Sequence, residues 1–85
     1  MSPEPHESPE LVLYVRDGCH LCDQFLVELS VDLGPAIERV AVLDVDRDEE
    51  LASRFGLRVP VLEADGEVLC EGFYDGARVR QALRV

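Results

Sequence analysis

The sequence predicts an α/β domain in which a four-stranded mixed sheet is flanked by helices. The chain has 85 residues, enough for one domain, and 47% of them are hydrophobic, as in a folded protein with a core. Short apolar runs alternate with segments of helical periodicity in the order β-α-β-α-β-β-α. A turn motif between the last two apolar runs predicts a hairpin, so these two strands should be antiparallel, whereas strands joined through a helix should be parallel.

The first half of the chain predicts a strand–helix–strand unit. The apolar, β-branched run Leu11–Val15 is typical of a buried strand, and 16–18 (Arg-Asp-Gly) ends it. Apolar residues then recur at helical spacing until Gly34-Pro35 stops the pattern; they are Leu21, Phe25, Leu26, Leu29 and Leu33. The run 40–45 predicts a second buried strand. Because a helix joins the two strands, they should be parallel with a right-handed crossover.

The second half predicts a short helix and a hairpin. Residues 46–49 offer N-cap and capping-box side chains to a helix that Gly56 closes. The runs 60–63 and 67–70 flank Asp65-Gly66, a dipeptide that favours a type I′ turn between two strands.

The two ends of the chain differ in character. Asp75 is suited to cap a last helix. Residues 1–9 contain three prolines and no apolar residue after Met1, so they predict a disordered tail before a domain at 10–85.

No signal peptide and no membrane-spanning run is found in the sequence. The sequence therefore predicts a cytoplasmic protein, and in that compartment a cysteine pair is more often catalytic or metal-binding than a structural crosslink.

The formal charge of −10 narrows the choice of partners. An acidic surface repels nucleic acid and anionic lipid, so neither is expected to bind. We separately expect the protein to be a monomer. All eight basic residues are arginine, a usage that fits a GC-rich bacterial genome.

Cys19 and Cys22 enclose His20-Leu21 at the start of the first predicted helix. Cysteines three apart face each other across one helical turn, and the first lies where free N–H groups and the helix dipole stabilise a thiolate. Such a thiolate attacks a disulfide, and the second cysteine resolves the mixed disulfide. The motif therefore predicts thiol–disulfide exchange, with Cys19 as nucleophile and Cys22 as resolving thiol.

Other interpretations of these residues remain open at this point. The cysteine pair would be half of a zinc site if Cys70, His20 and His6 completed it, although no second C-x-x-C exists. Cys70 itself is interpreted as a buried small apolar residue, with a third redox thiol as the alternative. A protonated His20 would favour the Cys19 thiolate, an effect that nearby Asp17 and Asp23 would oppose; an exposed, ineffective His20 is the alternative. The acidic residues between 44 and 50 are interpreted as a solvated face.

Three local motifs make the chain resemble a glutaredoxin-like member of the thioredoxin superfamily. The segment 16–22 is similar to the strand–loop–CxxC–helix entry of glutaredoxins, Val59-Pro60 to the cis-proline motif, and 72–75 to the Gly-x-x-Asp segment that holds the glutathione carboxylate. The resemblance implies a thioredoxin-like, glutaredoxin-type fold and a thiol–disulfide oxidoreductase. It also implies Val59, Pro60, Gly72 and Asp75 as substrate-binding residues, and Arg16 and His20 beside the cysteine motif complete the predicted set.

Several departures from the glutaredoxin pattern affect residues that would bind glutathione. His20-Leu21 stands in place of Pro-Tyr, a common active-site lysine is missing and only partly replaced by Arg16, and Glu71-Gly72 replaces a glycine pair. A carboxylate at Glu71 would repel the glutathione carboxylate. We therefore expect no required cofactor, glutathione only as a weak co-substrate, a disulfide-containing protein or small molecule as substrate, and a cellular thiol as reductant. The alternative is a non-catalytic thioredoxin-fold module that docks a basic partner or senses redox state.

Overall fold

The computed structural model describes residues 9–83, and their elements follow the predicted order. They are β1 (Leu11–Val15), α1 (His20–Leu33), β2 (Ala41–Asp44), α2 (Glu49–Phe55), β3 (Val61–Ala64), β4 (Glu67–Glu71) and α3 (Gly76–Leu83). Short 3₁₀ helices at Gly34–Arg39 and Val45–Arg47 flank β2. Of the predicted tail 1–9, all but Pro9 lies outside the described residues, as do the last two residues of the predicted domain.

The strands form one mixed sheet in the order β2-β1-β3-β4. β1 and β2 are parallel, whereas β3 is antiparallel to both β1 and β4, as the crossover and hairpin signals predict. The register places Val15 beside Asp44, Tyr14 beside Val61, and Val61 beside Glu71. These residues mark one end of the sheet, and the loops that leave it there build the site described below.

Helices cover both faces of the sheet. α1 and α3 pack on one face, where Phe25, Leu29 and Val79 meet Leu13 and Leu62 of the strands. On the other face, Phe55 of α2 stacks on Tyr14 with ring centroids 4.3 Å apart. Alternate strand residues point to opposite faces, so each face has its own apolar cluster.

The prediction of a second buried strand at 40–45 is wrong in its burial. The strand is Ala41–Asp44, and its residues Ala41, Val42 and Leu43 are exposed, while Val40 and Val45 at either end are buried. β2 is an edge strand with one neighbour, and an apolar run of this length does not distinguish an edge strand from a central one.

The predicted helix and turn signals are present, with one difference. Asp48 caps α2 by accepting the N–H groups of Glu50 and Leu51. Asp65 and Gly66 have φ of 51° and 86°, the positive pair of a type I′ turn. Gly56, however, ends α2 in a right-handed conformation, with φ −55°.

The requirement for glycine at 56 comes from close contact instead. A Cβ placed there would lie 2.5 Å from the carbonyl oxygen of Ala52.

Among residues 9–83, no helix has the length and apolar character that crossing a membrane requires.

Candidate functional site

Cys19 and Cys22 form a disulfide at the first turn of α1. Cys19 is the N-cap residue: its backbone is extended, and its sulfur accepts the N–H of Cys22 at 3.1 Å. Gly18, with φ +77°, supplies the left-handed turn that brings the chain into this position. The N-terminal N–H groups and the dipole of α1 therefore act on the sulfur of Cys19, as the motif predicts.

The two sulfurs differ in their access to solvent. Cys19 is half-buried and Cys22 is buried, with 3% of its surface exposed. Cys22 also borders a polar depression of about 460 Å³ lined by Asp17, Asp23 and Asp44. An incoming disulfide can reach Cys19 but not Cys22, whereas water in the depression can reach the neighbourhood of Cys22.

Arg16, in the loop before Cys19, forms hydrogen bonds with Asp46 and with Gly56 at the end of α2. Its Nε and Nη2 donate to the two carboxylate oxygens of Asp46 at 3.0 Å each, and its Nη1 donates to the carbonyl of Gly56 at 2.9 Å. The hydrogen bond to Asp46 is the main reason that the pKa of Arg16 is raised. Its predicted role in substrate binding stays a prediction, since these contacts already engage three of its nitrogens. Asp46, interpreted from the sequence as part of a solvated face, is a specific partner.

The peptide bond between Val59 and Pro60 is cis, as the resemblance implies. Pro60 is fully buried and Val59 half-buried. The antiparallel register continues from the Tyr14–Val61 pair towards the loop that leads to Cys19, so this segment lies at the same end of the sheet as the disulfide. Pro60 also accepts the N–H of Gly72 at 2.8 Å through its carbonyl.

Arg58 and Glu71 form an ion pair next to this segment, and no sequence motif predicts it. Arg58 donates from Nη2 to Oε1 at 2.6 Å and from Nε to Oε2 at 3.1 Å. The hydrogen bond from Arg58 lowers the pKa of Glu71. Arg58 is thirteen positions from Glu71 and shares no motif with it, so only the β3–β4 register would have brought the two together.

Gly72 and Asp75 lie on the segment between β4 and α3. Gly72 has φ +78°, a conformation that favours glycine, and its N–H is bonded to Pro60. Asp75 is exposed and accepts the N–H of Arg78 at 3.1 Å, so it caps α3 as predicted. Between them, the side chain of Phe73 is 75% exposed and borders a small crevice with Leu21.

His20 is exposed on the first turn of α1, and its Nε2 lies 3.2 Å from the amide nitrogen of Gln24. The structure thus brings Cys19 and Cys22 together with Val59, Pro60 and Gly72 at one end of the sheet. His20 and Asp75 lie on either side of that end, and Arg16 holds the loop before Cys19 through its hydrogen bonds to Asp46 and Gly56.

Cys70 is the remaining cysteine and forms no disulfide. It is half-buried against the α1–α3 core, and burial raises the pKa of its thiol, while a hydrogen bond from the backbone of Asp75 partly opposes the shift. These contacts fit the buried apolar interpretation. Residues 9–83 contain no cluster of three or more His, Cys, Asp or Glu side chains that could hold a metal ion. His6 lies outside that range, so the absence of a zinc site stays a prediction.

A four-stranded mixed sheet between helices, with a disulfide-bonded C-x-x-C at a helix start, defines a thioredoxin-fold protein with a redox cysteine pair. The chain belongs to the glutaredoxin-like family: the family model described as Glutaredoxin-like domain (DUF836) matches residues 10–84. The recognition made from the sequence motifs is thereby confirmed. No curated protein matches the chain.

Solved structures agree with this assignment. The chain is similar to protein Ne2328 from Nitrosomonas europaea, with 32% identity, a TM-score of 0.76, and 93% of this chain and 95% of that chain covered. It is also similar to protein XcR50 from X. campestris, with 37% identity, a TM-score of 0.68, and coverage of 87% and 95%. Oxidized glutaredoxin 2 from Chlamydomonas reinhardtii shares the fold at 17% identity, with a TM-score of 0.56 and coverage of 89% and 77%.

Proposed function

We propose that this protein is a thiol–disulfide oxidoreductase that reduces disulfides through Cys19 and Cys22. The observation that carries the proposal is the asymmetry of the pair: a partly exposed Cys19 at the N-terminus of α1 is bonded to a buried Cys22, at the same end of the sheet as a cis-proline. A module that only docks a partner, without thiol chemistry, would not need a reachable first sulfur and a shielded second one.

The reaction starts from the reduced pair. The Cys19 thiolate attacks one sulfur of the substrate disulfide, and the other substrate sulfur leaves as a thiolate that takes a proton from water. Cys22 then loses its proton to water in the polar depression and attacks Cys19. The second substrate sulfur leaves, and two electrons have passed from the protein to the substrate. A cellular thiol of low molecular weight or a dithiol protein reduces the Cys19–Cys22 disulfide again.

Extended substrates would lie along the Val59–Pro60 segment, and exposed apolar side chains surround the site for such contacts. Leu21, Leu57 and Phe73 come from three different segments at the same end of the sheet, and Leu57 is fully exposed. This supports a disulfide-containing protein or peptide as substrate. Reduction of the pair requires a reducing compartment, which is why we place the protein in the cytoplasm, and we expect a monomer.

Glutathione is proposed as a slow reductant only. The chain carries a net charge of −10, and glutathione is itself an anion. The carboxylate of Glu71 is neutralised by Arg58, so the local repulsion is smaller than Glu71 alone would cause, but Arg58 is also not free to bind an anion.

Cysteine variants test the proposal. Cys22→Ser should accumulate a mixed disulfide between Cys19 and a peptide substrate, because the resolving thiol is gone, and Cys19→Ser should form none. Cys70→Ser is the matched control and should keep full turnover. Mass spectrometry of the trapped complex and turnover of hydroxyethyl disulfide measure these outcomes. Equal activity of wild type and Cys19→Ser would overturn the proposal and favour the non-catalytic alternative.

A further inference from the structure

Two valines of α1 lie where folding does not require them. Val27 and Val31 are 63% and 77% exposed, on the side of the helix opposite the buried Phe25 and Leu29. β-branched residues lower helix propensity, and an exposed side chain adds nothing to the core. Residues that go against local structural preference without stabilising the fold are expected at functional surfaces.

These valines belong to a continuous surface. A small crevice is bordered by Phe73 and by Leu21, which lies between the two cysteines in the first turn of α1. A second depression of about 330 Å³ is bordered by Val27, Val31 and Arg80. Glu28 and Tyr74 line both, so the two depressions are neighbours between α1 and the start of α3, and together they form a shallow groove. We call it the α1–α3 groove.

The charge of the groove is negative. Asp32 is compensated, because its Oδ2 accepts from the Tyr74 hydroxyl at 2.7 Å and from Arg80 Nη1 at 2.9 Å. Glu28 is exposed and has no hydrogen-bond or ion-pair partner among residues 9–83. With the net charge of −10, this favours a cation at the centre of the groove and apolar side chains on either side of it.

We propose that the α1–α3 groove docks an extended segment of the protein partner whose disulfide Cys19 attacks, with apolar side chains on Phe73, Val27 and Val31 and a lysine or arginine on Glu28. The inference rests on the proposed function, because the groove starts at Leu21, between the two redox cysteines. From Leu21 to Val31 the helix rises about 15 Å, which about five extended residues span. The partner class is therefore a protein with a basic, apolar segment within about five residues of its reactive cysteine.

Three disulfides serve as probes. The first is the disulfide-linked dimer of the peptide Lys-Val-Lys-Val-Gly-Cys-Gly-Val-Lys-Val-Lys, and the second has glutamate in place of every lysine. The third, hydroxyethyl disulfide, is too small to reach from Cys19 into the groove. We expect the wild-type protein to turn over the cationic peptide with a kcat/KM at least about tenfold above that of the anionic one.

Substitutions in the groove should act only on the cationic peptide. V27S/V31S should raise its KM about tenfold through lost apolar contact, and Glu28→Lys should do so through charge reversal, with kcat little changed. Leu43→Ser is the control, since Leu43 is also an exposed apolar residue but lies on β2, outside both the groove and the depression beside Cys22. Hydroxyethyl disulfide turnover should be the same in all variants, which also shows that each one folds.

Two results would overturn the inference: an unchanged KM for the cationic peptide in V27S/V31S, or equal turnover of the cationic and anionic peptides. Failure of the proposed function is a different result, namely no turnover of any disulfide by the wild-type protein. In that case, titration with the cationic peptide carrying serine for cysteine decides the docking question. Wild-type binding that V27S/V31S weakens about tenfold supports the groove, and no difference between the two contradicts it.

Discussion

Glu71 carries a negative charge next to the redox site, and Arg58 cancels it through two hydrogen bonds. From the sequence, Glu71 counts as a free carboxylate that repels glutathione; in the folded chain the two side chains form a neutral unit. Because the pKa of Glu71 is lowered by Arg58, the pair stays charged on both sides when the solution is moderately acidic. Each member therefore masks the other from an incoming ion.

Removing either member should shift the preference for anionic thiols in opposite directions. Glu71→Gln leaves Arg58 unpaired, so glutathione-coupled turnover of hydroxyethyl disulfide should increase on the order of threefold to tenfold at low ionic strength. Arg58→Gln leaves Glu71 unpaired and should slow the same reaction. If both substitutions changed the rate in one direction, a general disturbance of the site rather than charge would be the cause.

Cys70 should react slowly with alkylating reagents, because burial raises the pKa of its thiol and only the thiolate is reactive. In the reduced protein, iodoacetamide near neutral pH should modify Cys19 first, and the rate at Cys70 should increase about tenfold per pH unit below that raised pKa. Peptide mapping at several times measures both rates, and the unfolded protein provides the reference in which all three cysteines react. Modification of Cys70 as fast as Cys19 would support a third redox thiol.

At the scale of elements, the Gly56 carbonyl connects α2 to the loop before Cys19. Arg16 reaches this carbonyl from the end of β1, and its other nitrogens bind Asp46 after β2. Elements that are far apart in sequence thus hold one loop in place. Asp48 fixes the start of α2 and the close packing at Gly56 fixes its end.

Gly56→Ala should destabilise the protein by about 1–3 kcal/mol, because the added methyl group would overlap the Ala52 carbonyl and press on Arg16. The melting temperature measured by circular dichroism should decrease, and hydroxyethyl disulfide turnover should decrease with it because the Arg16 contact shifts. Ser53→Ala, an exposed substitution on the same helix, is the control and should have little effect on either. An unchanged melting temperature for Gly56→Ala would show that α2 relaxes freely at this end.

The elements that the sequence predicted well are those with local signals. Capping at Asp48, the turn at Asp65-Gly66 and the cysteine motif each depend on a few neighbouring residues. The exposure of β2 depends on which strands are neighbours in the sheet, and the Arg58–Glu71 pair depends on the register of a hairpin. Both the exposure of β2 and the Arg58–Glu71 contact depend on residues far apart in the sequence, so hydrophobic periodicity does not predict them.

For the whole molecule, the imbalance of charge is the dominant electrostatic feature. Eighteen acidic side chains face eight arginines, and the three ion pairs found in residues 9–83 are all partly exposed. Exposed pairs contribute little to stability, whereas a net charge of −10 opposes compaction of a small domain.

Raising the salt concentration should therefore stabilise this protein. Between about 20 mM and about 0.5 M sodium chloride, the melting temperature should rise on the order of 3 °C, since screening of the net repulsion outweighs the weakening of three exposed pairs. Calorimetry at constant pH measures the shift, and potassium chloride should give the same value if screening is the cause. A decrease would mean that the ion pairs contribute more than their exposure suggests.

The exposed edge strand β2 has a consequence for how the protein behaves in concentrated solution. Ala41, Val42 and Leu43 have no strand on their outer side among residues 9–83, and they carry no lysine, proline or bulge of the kind that commonly protects an edge from self-pairing. Mutual repulsion of the acidic molecules is then what keeps two edges apart. Acidification towards the isoelectric point of the sequence, about pH 4.4, removes that repulsion, so turbidity of a concentrated solution should rise as the pH approaches this value.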